Sequence, residues 1–132
     1  MTLEHVALWT KHLETLRAYY CLYFEGKSNE LYINKKTGFR SYFISFAQGA
    51  RLEIMEKPEI PTNLNDRKNK QHLGLIHLAF CALSKDEVDH KAHELSSNGF
   101  EILRGPRTTG DGYYEFETLD PDGNRVEVTY KL

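Results

Sequence analysis

The spacing of apolar residues changes period several times along the chain, and each change marks an element. Over 3–9 the pattern alternates, with Val6 and Leu8 on one side and His5, Ala7 and Trp9 on the other, as in a β-strand. From 12 to 24 it lengthens. Leu13, Leu16, Tyr20 and Phe24 recur at three- and four-residue intervals, which predicts an amphipathic helix. Thr10 stands ahead of that helix, where its hydroxyl can accept from an early amide. The polar stretch 25–29 ends the helix. A short edge strand is predicted over 31–33, and a longer strand over 39–46 with Tyr42, Ile44 and Phe46 on one face. Residues 47–50 read as a hairpin connection into a strand over 51–56.

The same succession follows in the second half. Over 75–81, Ile76, Leu78 and Phe80 oppose His77, Ala79 and Cys81. Ser84 and Glu87 have the spacing of a capping box, Val88, Ala92 and Leu95 form an apolar stripe, and Asn98-Gly99 is a helix stop. Strands are predicted over 100–103, 113–119 and 125–130, with Asp120-Pro121-Asp122-Gly123-Asn124 a strong turn signal before the last. Between the halves, 57–74 carries Pro58, Pro61 and scattered charges without apolar periodicity, and reads as a surface connector. Each half is thus strand, helix, three strands, an internal duplication. The expected organisation is one α+β domain over 1–132, with module one at about 1–57, a connector at about 58–73 and module two at about 74–132.

Composition narrows the class. A chain of 132 residues, 40% hydrophobic and with net charge -2, can bury a core and has no basic surface that would draw it to nucleic acid or an anionic membrane. Only Cys21 and Cys81 are present, in apolar contexts, and read as buried free thiols rather than a disulfide. No segment reaches membrane-spanning length and no signal pattern opens the chain, so a cytoplasmic location is expected.

The duplication also repeats chemistry. Seventy-two residues separate His5 from His77, and 74 separate Glu53 from Glu127. Each half therefore carries a His on its first strand and a Glu on its last, set among Leu52 and Ile54 or Val126 and Val128. A carboxylate in an otherwise apolar strand is costly unless paired. In both halves the residue two after the His is Ala, which leaves room beside the imidazole. A single His or Glu in a strand is ordinarily a hydrogen-bonded or half-exposed residue. Four at matching repeat positions form a mixed N/O donor set suited to one divalent ion, Ni, Zn, Co, Mn or Fe, with open positions for a substrate oxygen. Competing candidates are weaker. His90, His93 and Glu94 sit on the polar side of a predicted helix, and the glycines at 105, 110 and 112 precede no helix that could cradle a phosphate.

These four residues, the paired modules and the 120–124 turn before a Glu strand resemble the vicinal oxygen chelate superfamily, which includes glyoxalase I, fosfomycin resistance enzymes, extradiol dioxygenases and bleomycin resistance proteins. The resemblance spans the whole chain. It implies two βαβββ modules forming a cupped mixed β-sheet with helices outside, and a homodimer. A His-Glu-His-Glu set is most similar to glyoxalase I, because fosfomycin enzymes and extradiol dioxygenases use three ligands and bleomycin-binding proteins generally lack the set. It implies His5, Glu53, His77 and Glu127 as metal ligands, with Glu127 or Glu53 as the base. The activity implied is that of a lyase or isomerase acting on the hemithioacetal of a 2-oxoaldehyde and a small thiol. A non-catalytic binding or resistance protein and an iron-dependent extradiol dioxygenase are the alternatives. Tyr113 or Tyr114 would line the cup, Arg107 would meet an anion, and Trp9, on the face of His5, would also contact the small-molecule substrate.

Overall fold

A computed structural model describes residues 1–132. The chain divides into two compact units, Met1–Asn63 and Leu64–Leu132, so the division falls inside the predicted connector. Nine strands form two mixed sheets with one helix in each unit.

In the first unit, β1 (His5–Trp9) is followed by α1 (Leu13–Tyr23), β2 (Lys27–Ser28), β3 (Tyr32–Asn34), β4 (Phe39–Ser45) and β5 (Arg51–Glu56). β1 runs parallel to β5, and β5, β4 and β2 continue antiparallel, with β3 also on β4. The helical stripe is the predicted one. Leu13, Leu16 and Tyr20 are buried with Ile44, Leu52 and Ile54 of the sheet. Buried aliphatic side chains of this size contribute about 1.5–3 kcal/mol each, so this seam holds the helix on the sheet. Thr10 Oγ1 accepts from the His12 amide at 2.8 Å, one residue ahead of the first helical position. β2 lies in a stretch that sequence alone reads as loop, because a two-residue strand has no period to detect.

The second unit holds β6 (His77–Cys81), α2 (Lys85–Ser97), β7 (Ile102–Thr108), β8 (Tyr113–Leu119) and β9 (Arg125–Lys131) in sheet order β6-β9-β8-β7. β6 and β9 are parallel and the other pairs antiparallel, repeating the first unit. Val88, Ala92 and Leu95 of α2 are buried with Phe116, Val126 and Val128. The cap forms as expected at Ser84, whose Oγ accepts from the Glu87 amide at 3.1 Å, while Glu87 Oε2 accepts from the Leu83 amide at 2.5 Å. The 120–124 turn is built on Asp120, whose Oδ1 accepts from the Asp122 and Asn124 amides at 2.9 and 2.8 Å.

β7 runs well past the predicted 100–103. Its continuation contains Gly105-Pro106, a pair that ordinarily breaks a strand. The strand accommodates it through two register shifts, on either side of Arg104. Gly105 has φ +82, and a Cβ there would lie 2.4 Å from the Glu115 carbonyl oxygen, so only glycine fits.

The connector is not a free linker. Arg67 donates to the Asn124 side chain and, at 2.6 Å, to the Asp122 carbonyl. Arg125 Nη2 donates to the carbonyls of Arg67 and Lys68 at 2.9 and 3.2 Å. Its second half is thereby fastened to module two. No helix is long and apolar enough to cross a membrane.

Candidate functional site

The parallel pairing of the first and last strand of each module sets the site. In module one the register places Ala7 opposite Glu53 and His5 opposite Arg51. In module two it places Ala79 opposite Glu127 and His77 opposite Arg125. His5 Nε2 lies 3.7 Å from Glu53 Oε2, and His77 Nε2 lies 3.5 Å from Glu127 Oε2. The side-chain exposures also match, 39% and 14% in the first pair against 38% and 12% in the second. Each module has therefore built the same half-exposed imidazole beside the same nearly buried carboxylate.

Neither module by itself gathers three His, Cys, Asp or Glu side chains that could hold an ion; each supplies two. The pairs nonetheless fit a metal. Two bonds of roughly 2.1 Å reach up to about 4.2 Å between donor atoms, and both observed separations fall inside that span. His5 carries a further feature expected of a ligand. Its Nδ1 is hydrogen-bonded to Glu4, which leaves Nε2, the nitrogen facing Glu53, free to coordinate. Glu4 is in turn held by Arg51 Nε at 2.7 Å. The bond to His5, with Arg51 beside it, lowers the Glu4 pKa.

The second pair sits among more charge. Glu117 lies directly across from Glu127, and Glu115 across from Thr129. Like charges facing each other on adjacent strands are destabilising unless cations intervene. Arg125 Nη1 is 3.4 Å from Glu117, and Arg107 Nη2 is 3.9 Å from Glu115. Burial raises the Glu127 pKa against the opposing pull of His77, and the two neighbouring glutamates add to the rise. In module one the position facing Glu53 is Phe43, whose ring meets His5 edge-on at 5.3 Å and carries Arg51 at 4.2 Å.

The remaining predicted contacts divide. Trp9 stands on the His5 face of β1, edge-on to Phe39 at 6.0 Å and 44% exposed. Tyr113 shares its side of β8 with Glu115 and Glu117, and Arg107 shares that side by its pairing with Glu115. Tyr114 does not belong with them. Its hydroxyl donates to Asp89 of α2 at 2.8 Å, and Lys85 of α2 lies over its ring at 5.3 Å. Successive strand residues face opposite ways, and Tyr114 shares parity with the buried Phe116, a signal already present in the sequence. Cys81 is exposed and Cys21 half-buried, so neither is the buried thiol expected; Cys81 shares the face of His77. No periodicity or motif in the sequence marks Glu4, Glu117 or Arg125. Their roles depend on neighbours across strands and on the connector.

Comparison with known proteins places this architecture. The family model described as Glyoxalase/Bleomycin resistance protein/Dioxygenase superfamily matches residues 2–128. A curated protein of Bacillus subtilis (strain 168), the uncharacterized protein YqjT, is 28% identical over 129 residues, spanning 96% of each chain. Among solved structures, a glyoxylase/bleomycin resistance protein/dioxygenase domain from Frankia sp. EAN1pec aligns with TM-score 0.81 at 18% identity, over 100% of this chain and 98% of its own. A lactoylglutathione lyase from Agrobacterium tumefaciens aligns with TM-score 0.67 at 20% identity, over 97% and 92%. At those identities the structural likenesses establish the fold, and the family model covers nearly the whole chain. With its duplicated modules and repeated His–Glu pairs, this chain belongs to the glyoxalase/bleomycin resistance protein/dioxygenase superfamily.

Proposed function

We propose that the protein is a divalent-metal-dependent enzyme of the glyoxalase I type, which isomerises the hemithioacetal of a 2-oxoaldehyde and a small thiol. Members of the superfamily commonly bind a divalent metal ion and are often enzymes. The observation that carries the reading is the repetition of one His–Glu pair at 3.7 and 3.5 Å in both modules. His5, Glu53, His77 and Glu127 are the proposed ligands, and the chain is proposed to act as a homodimer.

A bound divalent ion would supply Lewis acidity to the substrate oxygens as charge develops on them. The chain's own part is proton handling. A carboxylate takes the proton from the carbon bearing sulfur and oxygen, then returns one to the neighbouring carbon. The net change is an isomerisation, with no external oxidant or reductant. Glu127 is assigned this role, with Glu53 the alternative. The half-exposed imidazoles and the alanines opposite both glutamates leave the approach open.

Metal analysis of protein purified without added metal, followed by loading with Ni or Zn and assay on methylglyoxal hemithioacetal, tests the proposal. Near-stoichiometric metal and turnover are expected, with both reduced in His77→Ala. Glu127→Gln should abolish turnover while Glu53→Gln retains a fraction. Unchanged metal content in both His77→Ala and Glu53→Gln would refute the ligand set.

A further inference from the structure

The two modules hold their histidines differently. Residue 4 is a glutamate, and residue 76, at the matching place ahead of β6, is an isoleucine. Glu4 Oε2 lies against His5 Nδ1, while its other oxygen, Oε1, takes Arg51 Nε at 2.7 Å and also Arg51 Nη2. The backbone closes the same link, because the Glu4 carbonyl accepts from the Arg51 amide at 2.9 Å. Arg51 lies in turn over the Phe43 ring at 4.2 Å, and that ring meets His5 edge-on at 5.3 Å. His5, Glu4, Arg51 and Phe43 thus form a closed circuit of contacts around the imidazole.

An ionised carboxylate can only accept, so Nδ1 brings the proton to this bond. Nε2 is then the nitrogen left to meet Glu53, 3.7 Å away. The Glu4 side chain is 59% exposed, and a single bond from so wet a group would compete poorly with water. The fork of Arg51 steadies it. Module two lacks every part of this circuit. Ile76 offers no acceptor, Glu117 stands where Phe43 stands, and Arg125, the counterpart of Arg51, is spent on Glu117 and two connector carbonyls. The two imidazoles are equally exposed, so the contrast lies in what holds them rather than in burial.

We propose that Glu4, gripped by Arg51, is a positioning residue: it fixes the His5 imidazole with Nε2 toward Glu53, so that His5 is pre-set to ligate an ion and His77 is not. This rests on the proposed function only in taking His5 and Glu53 as ligands.

Heteronuclear NMR of the histidine rings tests the assignment in metal-free protein. His5 Nδ1 should carry a proton in slow exchange with water, and His77 Nδ1 should not. The signal should vanish in Glu4→Ala but persist in Glu4→Gln, whose amide oxygen can still accept. Zinc affinity, read by competition with a chromophoric chelator, should fall about 10- to 100-fold in Glu4→Ala and less than about threefold in Glu4→Gln. Glu4 precedes β1 and is exposed, so both variants should keep the wild-type circular dichroism. The glutamine variant separates position from charge. Equal losses in the two variants would mean that Glu4 acts by its charge alone, and would overturn the proposal. So would a His5 Nδ1 proton that exchanges as fast as that of His77, or zinc affinity unmoved by Glu4→Ala. Failure of the proposed function looks different. Wild-type protein that takes up no zinc, yet shows the Glu4-dependent proton, upholds the hold on His5 and sinks the ligand set. Zinc uptake and turnover indifferent to Glu4 do the reverse.

Discussion

Replacing Arg125 with Met probes a buried charge that ties the last strand to the connector. The Arg125 side chain is 4% exposed, lies 3.4 Å from the carboxylate of Glu117 (itself 11% exposed) and holds two connector carbonyls. Met retains most of the packing volume and removes the charge. Breaking one partner of a buried pair costs about 3–5 kcal/mol, chiefly because the other charge is stranded. Three features argue for the lower end. The 3.4 Å contact is long for a charge-assisted bond, Arg125 Nε has no hydrogen-bond partner to lose, and the connector carbonyls can return to water. We expect about 3 kcal/mol. For one cooperative transition of 132 residues at about 2.1 cal/mol/K per residue, that lowers Tm by roughly 11 °C. Thermal and urea unfolding followed by circular dichroism would measure it, and limited proteolysis should show faster cleavage in 64–73. Because the cost is a stranded carboxylate, Arg125→Met with Glu117→Leu should recover most of the loss. A single variant within 1 kcal/mol of wild type, or a double variant no more stable than the single, would refute the reasoning.

Two further perturbations follow from local geometry. The Tyr42 hydroxyl donates to Glu14 at 2.8 Å, and this bond, with burial, raises the phenol pKa above 10.0. The folded state therefore favours the neutral form. Its contribution is fully present below 10.0 and is lost as pH rises through the higher folded value. The urea midpoint should fall more steeply above about pH 10 in wild type than in Tyr42→Phe; identical profiles would remove Tyr42 as the cause. Gly105→Ala combines a φ of +82 with a Cβ 2.4 Å from a backbone oxygen, and should cost well over about 2 kcal/mol in urea unfolding. Gly110→Ala, with open space around it and no positive φ, should change stability by less than about 0.5 kcal/mol, and equal effects at the two sites would contradict the packing argument.

Periodicity is local, so the sequence alone determined most of the elements, the duplication and the placement of His5, Glu53, His77 and Glu127 at matching repeat positions. It also marked the Ser84 cap and the 120–124 turn, whose hydrogen bonds are made by near neighbours. Tertiary structure decided what needs distant partners. Parallel pairing of β1 with β5 and of β6 with β9 set an alanine opposite each glutamate and brought each His to its Glu. Strand alternation already set Tyr114 on the face opposite Tyr113, and the tertiary structure added its partner there, Asp89 of α2. Antiparallel pairing across β8 and β9 faced Glu117 with Glu127, and the same pairing in module one faced Phe43 with Glu53. Register shifts carried a strand through Gly105-Pro106, and buried Arg125 reached across to the connector. Such contacts join residues far apart in the chain, so no short-range pattern announces them. They are what distinguishes two halves that the sequence presents as copies.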